Sequence, residues 1–347
     1  MNRSLQRTIE TSTRLTMKPG SISQLNCSSS VNCLVLTFFL AILVGSAAAQ
    51  EVPGKNQGFN PLQVALLKWG PNVTTKFDAG LEPTAIAFDG INMWITNNLA
   101  GSVTKLRAND GAFQGTFPVS SGPNGVAFDG ANVWVWSEYS GLIVKLRASD
   151  GASQGIFHTG FGSEGVAFDG ANIWVANQTS GNVTKLRAKD GSVLGTFPID
   201  GSPQGIAFDG THIWVTNRID SVTKLRASDG ALLGTFTVGA SPWGVAFDGA
   251  NIWVANTGSQ NVTKLRASDG AVQGTFRVGL TPIGLVFDGV SIWVTTRDGV
   301  TKLRASDGQI MGTLAVTPPP FGLAFDGANI WVSTPEPSGG GTTVRKL

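Results

Sequence analysis

One position in this chain of 347 residues changes its chemistry each time it recurs. It stands just before the Gly or Ala of a repeated apolar segment of the type Gly-Val-Ala-Phe, and in chain order it reads Thr84, Asn124, Glu164, Gln204, Trp243, Ile283, Phe321. Four polar residues are followed by three large apolar ones. Brought to one ring, such a set could hold an amphipathic small molecule or a peptide segment. Trp243 and Phe321 would supply area, Glu164 a charge, and Asn124 and Gln204 hydrogen bonds. Glu138, Arg218 and Arg297 fall in nearby variable stretches and add charge of both signs. Glu138 and Glu164 could also act as an acid–base pair, or as the start of a cation site. The competing reading is that neighbouring loops cover the ring and its alternation carries no function.

Other chemistry is thinly represented. The only histidines are His158, in a segment where other copies carry Pro, Thr, Arg, Ala or Asp, and His212, next to an Asp-Gly turn. The spacing gives them no common site. No phosphate-binding glycine loop, EF-hand spacing or His-Glu metal motif appears. Asn-x-Thr occurs at Asn72, Asn177, Asn182 and Asn261, mostly at strand starts, and reads as part of the repeat.

The elements that must position these residues follow from a period near 40. Phe-Asp-Gly recurs with its aspartates at 89, 129, 169, 209, 248, 288 and 326, and five residues after each comes a tryptophan: Trp94, Trp134, Trp174, Trp214, Trp253, Trp293 and Trp331. Six copies continue with Lys-Leu-Arg-Ala-x-Asp-Gly, and a Gly-Thr-Phe-like segment closes each unit. One supersecondary unit is therefore copied seven times. Each copy reads as four short strands, exemplified by 125–128, 173–175, 262–266 and 274–278, which are rich in β-branched and aromatic residues and separated by Gly, Asp and Asn. Asp-Gly supplies the positive φ that tight hairpins need, and this explains most of the 45 glycines.

The ends of the pattern are complementary. A lone fourth-strand segment, 74–79 with Phe77 in the aromatic place, precedes the first copy, and the last copy stops within a third strand at 344–347. The expected fold is all-β: a seven-bladed β-propeller of four-stranded antiparallel blades, closed by pairing of the N-terminal strand with the C-terminal blade. An open solenoid would show capping repeats instead. The seven periodic tryptophans read as inter-blade packing, with an aromatic cage as the alternative. Both Asp-Gly turns fall at one end of each blade. The variable loops, including 97–101, 137–141, 217–220 and 334–338, fall at the other, together with the ring position, and recognition is expected there.

Residues 1–49 read as a secretory signal. Arg3, Arg7, Arg14 and Lys18 precede the apolar run 34–44, and Ala47-Ala48-Ala49 precede a cut before Gln50. A start at Met17 would keep Lys18. The apolar run is shorter than the ~20 residues of a membrane span, so no span is expected after cleavage. Cleavage removes 49 residues, both cysteines (Cys27 and Cys33), four basic residues and one acidic one, leaving 21 basic against 22 acidic. A near-neutral chain with mixed signs argues against nucleic-acid binding. Residues 50–73 read as an extension with a short helix near 62–69, ahead of a propeller spanning 74–347.

Ile213-Trp214-Val215-Thr216-Asn217, followed by Thr-Phe-x-Val-Gly-x-x-Pro-x-Gly-Val-Ala at 235–246, resembles the YVTN/YncE-type propeller repeat, with Phe-Asp-Gly-Ala-Asn in place of the usual Pro-Asp-Gly turn. The resemblance implies a seven-bladed exported propeller. The architecture is also similar to that of streptogramin (virginiamycin B) lyases, which implies histidines, a glutamate and Mg²⁺ on the channel face. No mouth position here holds histidine, so no catalytic residue carries over. The reading is an extracytoplasmic monomeric scaffold that binds a small molecule, glycan or protein partner on its variable face, without a cofactor. The alternative is a metal-assisted lyase or hydrolase using Mg²⁺ or Ca²⁺ near Glu138 and Glu164.

Overall fold

The computed structural model describes residues 75–138, 140–335 and 342–347. All belong to the second of the two units into which the chain divides, Pro61–Leu347. The leader, the extension with its expected helix, Tyr139 and residues 336–341 lie outside the described residues.

The described residues form twenty-eight strands, β1 to β28 in chain order, paired into seven four-stranded antiparallel sheets. Blade 2 is typical, with strands Pro123–Phe128, Asn132–Ser137, Leu142–Arg147 and Ser153–His158 in sequence order. The strands run one to three residues longer at their ends than the motifs suggested, because pairing continues into the polar residues flanking each apolar stretch. Second strands such as His212–Asn217 are buried almost throughout, since neighbouring blades cover both their faces. Outer strands alternate with exposure because only one face is covered, as in Leu232–Thr237.

Closure is as expected. Strand β1 (Thr75–Asp78) pairs antiparallel with β28 (Thr343–Lys346), which adds the fourth strand to a sheet containing Leu323–Phe325 and Ile330–Thr334. Phe77 stacks on Trp331 with ring centroids 5.2 Å apart, the same relation that Phe117 has to Trp94 within blade 1. No sheet among the described residues is left with its inner or outer strand missing.

The repeated motifs work as joints between blades. Trp94 is fully buried and packs against Val126, Val133, Val135 and Leu146 of the next blade. Lys105 is also buried: its Nζ lies 5.1 Å from the centroid of Trp94 and donates to the carbonyls of Ala148 (2.7 Å) and Ser149 (3.1 Å) in the following blade. Lys145, Lys185, Lys224 and Lys264 repeat this clamp, and Lys346 closes the ring onto Ala108 and Asn109. Lys and Arg share a strand face as expected but separate in role, since Arg107 is exposed and pairs with Asp110 of its own turn. Gly111 needs its φ of +72°, and a Cβ there would also fall 1.9 Å from the Phe77 ring. The Asp-Gly turn between the third and fourth strands thereby seats the aromatic residue of the blade before it, as Gly151 does for Phe117 and Gly191 for Phe157.

Candidate functional site

The inner strands approach so closely at the channel that the repeated glycine is required there. A Cβ on Gly205 would fall 2.3 Å from the carbonyl oxygen of Trp243, and one on Gly244 would fall 2.2 Å from that of Ile283. Hydroxyls fasten the same seam. Thr216 Oγ1 accepts from Gly205 N at 2.8 Å and donates to Trp243 O at 2.6 Å, and Thr295 and Ser333 make the corresponding bonds to Phe321 O and Thr84 O. The ring position is thus anchored through its backbone, which leaves its side chains free to vary.

Those side chains line a cavity of about 250 Å³ between the first halves of the inner strands. Asn124, Glu164, Trp243, Ile283 and Phe321 border it, so five of the seven ring residues share one cavity. The other two do not border it. Thr84 is buried and bonded to Thr96 Oγ1 at 2.8 Å. Gln204 has no exposed surface, and neither of its amide atoms has a partner among the described residues. Glu138 and Arg218 stand on loops close enough for their charges to act on Glu164. Arg297 is exposed on the two-residue connection Arg297-Asp298 and is not part of the lining.

Trp136 joins the lining and was not among the expected site residues. It occupies the place held by Thr96, Thr216, Thr295 and Ser333 in other blades. Its ring lies over Gly125, where a Cβ would come within 1.3 Å of it. The side chain is almost wholly buried, and its indole Nε1 has no hydrogen-bond partner among the described residues. The signal lies in the sequence, since Trp136 is the one aromatic residue at a position that is Thr, Ala or Ser in every other blade.

Among the described residues, Glu164 is the only ionisable side chain lining the cavity. Burial among apolar and aromatic walls pushes its pKa from 4.5 up to about 7. Negative Glu138 pushes the same way, and positive Arg218 opposes them. No hydrogen bond contributes to this balance. Neither histidine reaches the site: His158 is exposed on an outer strand, and His212 Nδ1 lies 3.1 Å from Asp209 Oδ2 in a hairpin at the opposite end. Among the described residues no three His, Cys, Asp or Glu side chains are grouped to hold a metal ion, so the donor set does not fit a Mg²⁺ or Ca²⁺ centre.

A closed seven-bladed propeller with one acidic, aromatic-lined mouth is the class that fold and site define. A solved structure titled "Streptogramin B lyase structure" matches with a TM-score of 0.65 at 17% sequence identity, covering 79% of this chain and 96% of that one. At that identity the likeness establishes the propeller fold. Neither protein-family models nor curated proteins gave a match.

Proposed function

We propose that this protein is a ligand-binding propeller whose ligand is a small molecule held in the channel mouth on the variable-loop face. The observation that carries the reading is the convergence of Glu164, desolvated, with Trp136, Trp243 and Phe321 around one cavity. A volume of about 250 Å³ is just below the roughly 300–1,000 Å³ of usual ligand pockets, which favours a small molecule or one end of a larger one over a folded partner. Export is the companion reading and rests on the leader pattern of residues 1–49. N-terminal sequencing of the protein secreted by an expressing host tests it, with Gln50 as the expected first residue.

The channel reading is tested by ligand-observed NMR of the full-length protein with a library of small aromatic and amphipathic fragments. Fragments that bind wild type should bind Trp243→Ala and Glu164→Gln at least tenfold more weakly, with both variants still folded by circular dichroism. Binding unchanged in both variants would place the site elsewhere.

A further inference from the structure

We infer, building on the channel-mouth reading, that the ligand is an organic monocation, with an ammonium group set against the Glu164 carboxylate and an apolar body among the rings of Trp243 and Phe321.

Three observations carry this. The first is a charge balance. Among the described residues, Glu164 is the only ionisable group in the lining, and the outside charges acting on it are Glu138 and Arg218. With both acids ionised the site holds two negative charges and one positive, a net charge of −1 that one monocation neutralises. An anion would meet two carboxylates, and a neutral apolar ligand would strip water from Glu164 without replacing it.

The second is the absence of competition. Among the described residues no hydrogen bond acts on Glu164, so none of their backbone amides engages its carboxyl oxygens as amides engage those of the turn aspartates. A carboxylate desolvated by its surroundings and left uncompensated has most to gain from a ligand that brings a positive charge.

The third is how this molecule handles cations elsewhere. Seven tryptophans, one per blade, each carry a lysine ammonium over the ring, at 4.6 Å in the Lys302–Trp293 pair and 5.5 Å in the Lys346–Trp331 pair. Trp136 and Trp243 stand outside that pattern, and they are the two tryptophans that line the cavity with Glu164. Indole rings attract ammonium ions and repel anions, most strongly where water is excluded. At about 30 Å³ per water the cavity holds roughly eight waters, enough for a trimethylammonium head with a short chain.

The test uses the full chain and permanently charged probes, so that only the protein titrates. Tetramethylammonium, choline and benzyltrimethylammonium are titrated calorimetrically at pH 5 and pH 8, alongside 3,3-dimethylbutan-1-ol, the neutral isostere of choline. At least one cation should bind at pH 8, with choline preferred about tenfold or more over its isostere. Affinity should fall about a hundredfold at pH 5, where Glu164 is protonated, and should be lost in Glu164→Gln. At pH 7, titration in buffers of different ionisation enthalpy should show about half a proton released per cation bound, a readout that needs no variant. An isostere that binds as well as choline, or affinities equal at the two pH values, would overturn the cation assignment and leave the channel reading standing. If the cations fail to bind while library fragments do, the cation assignment alone falls. If neither binds, both readings fall.

Discussion

Trp214 Nε1 donates to Asp209 Oδ2 at 2.8 Å, and the same bond joins the tryptophan and the Phe-Asp-Gly aspartate of all seven blades. The five-residue spacing so regular in the sequence is the geometry of that bond. One carboxylate closes the first hairpin through the amides of Thr211 and His212 while fixing the ring that packs against the next blade. A large ring can be buried at every blade junction because its single N–H has a partner close at hand.

Acid should therefore loosen the junctions that Asp169, Asp209, Asp248 and Asp326 hold. Desolvation is the largest single influence on Asp169 and would raise its pKa, but bonds from Trp174, Asn172 and the Ala171 and Asn172 amides outweigh it and hold the carboxyl below its ordinary 3.8. Asp209, Asp248 and Asp326 behave alike. A depressed folded pKa gives stability that is fully present above 3.8 and lost as pH falls below it. Thermal melting between pH 5 and pH 2 should show a steep cooperative decline, shallower in Asp169→Asn. A melting temperature flat across that window would contradict this account.

The ring should be sensitive to its closing clamp. Lys346 Nζ donates to Ala108 O at 2.8 Å and Asn109 O at 3.0 Å across the join between first and last blades. Lys346→Met keeps the apolar stem and removes the donor, and should cost about 1–3 kcal/mol in denaturant unfolding. Removing residues 1–79 should cost more, because β28 then becomes an open edge. That truncated chain should melt lower and self-associate on size-exclusion chromatography. Melting equal to the full chain would mean that the β1–β28 pairing contributes nothing.

Closure was legible in the sequence because Phe77 repeats the aromatic place of a fourth strand at the end of the chain opposite the blade that lacks one. The ring position was legible as spacing. Its occupancy was legible only in part: Glu164 and Gln204 occupy equivalent places, yet one lines the cavity and the other is buried, a difference set by how adjacent blades meet. The lysine clamps left no readable trace of their partners, since backbone carbonyls more than forty residues away have no residue type to mark them. Arg297 fell short for a related reason: the loop bearing it is the shortest second-to-third connection among the described residues.

Glu164 should make stability fall with pH over a range in which the aspartates are silent. Its folded pKa of about 7 lies above the ordinary 4.5. The stability it contributes is complete below 4.5 and lost as pH rises through about 7. Discounted for solvent at the open mouth, the loss is about 2 kcal/mol. Glu164→Gln should abolish that slope and be the more stable protein at pH 8. Parallel wild-type and variant profiles from pH 4 to pH 8 would show that Glu164 titrates normally.

Trp136 and Gly125 should behave as a coupled pair. A Cβ on Gly125 would overlap the Trp136 ring at 1.3 Å, so Gly125→Ala must displace a large buried side chain and should cost about 3 kcal/mol. Blade 1 shows the compatible alternative: Ala85 stands beside Thr96, whose Oγ1 accepts from Ala85 N at 2.8 Å. Trp136→Thr alone removes ring contacts and enlarges the channel cavity, and should also destabilise. Combined with Gly125→Ala it recreates the blade 1 pair, so the double variant should be more stable than the sum of the single losses by at least 1 kcal/mol in a double-mutant cycle. Additive losses would mean that the ring relaxes away from Gly125 at little cost. The same cycle separates packing from binding: the double variant restores the seam but lacks the indole, and if Trp136 contacts ligand it should fold well and bind weakly.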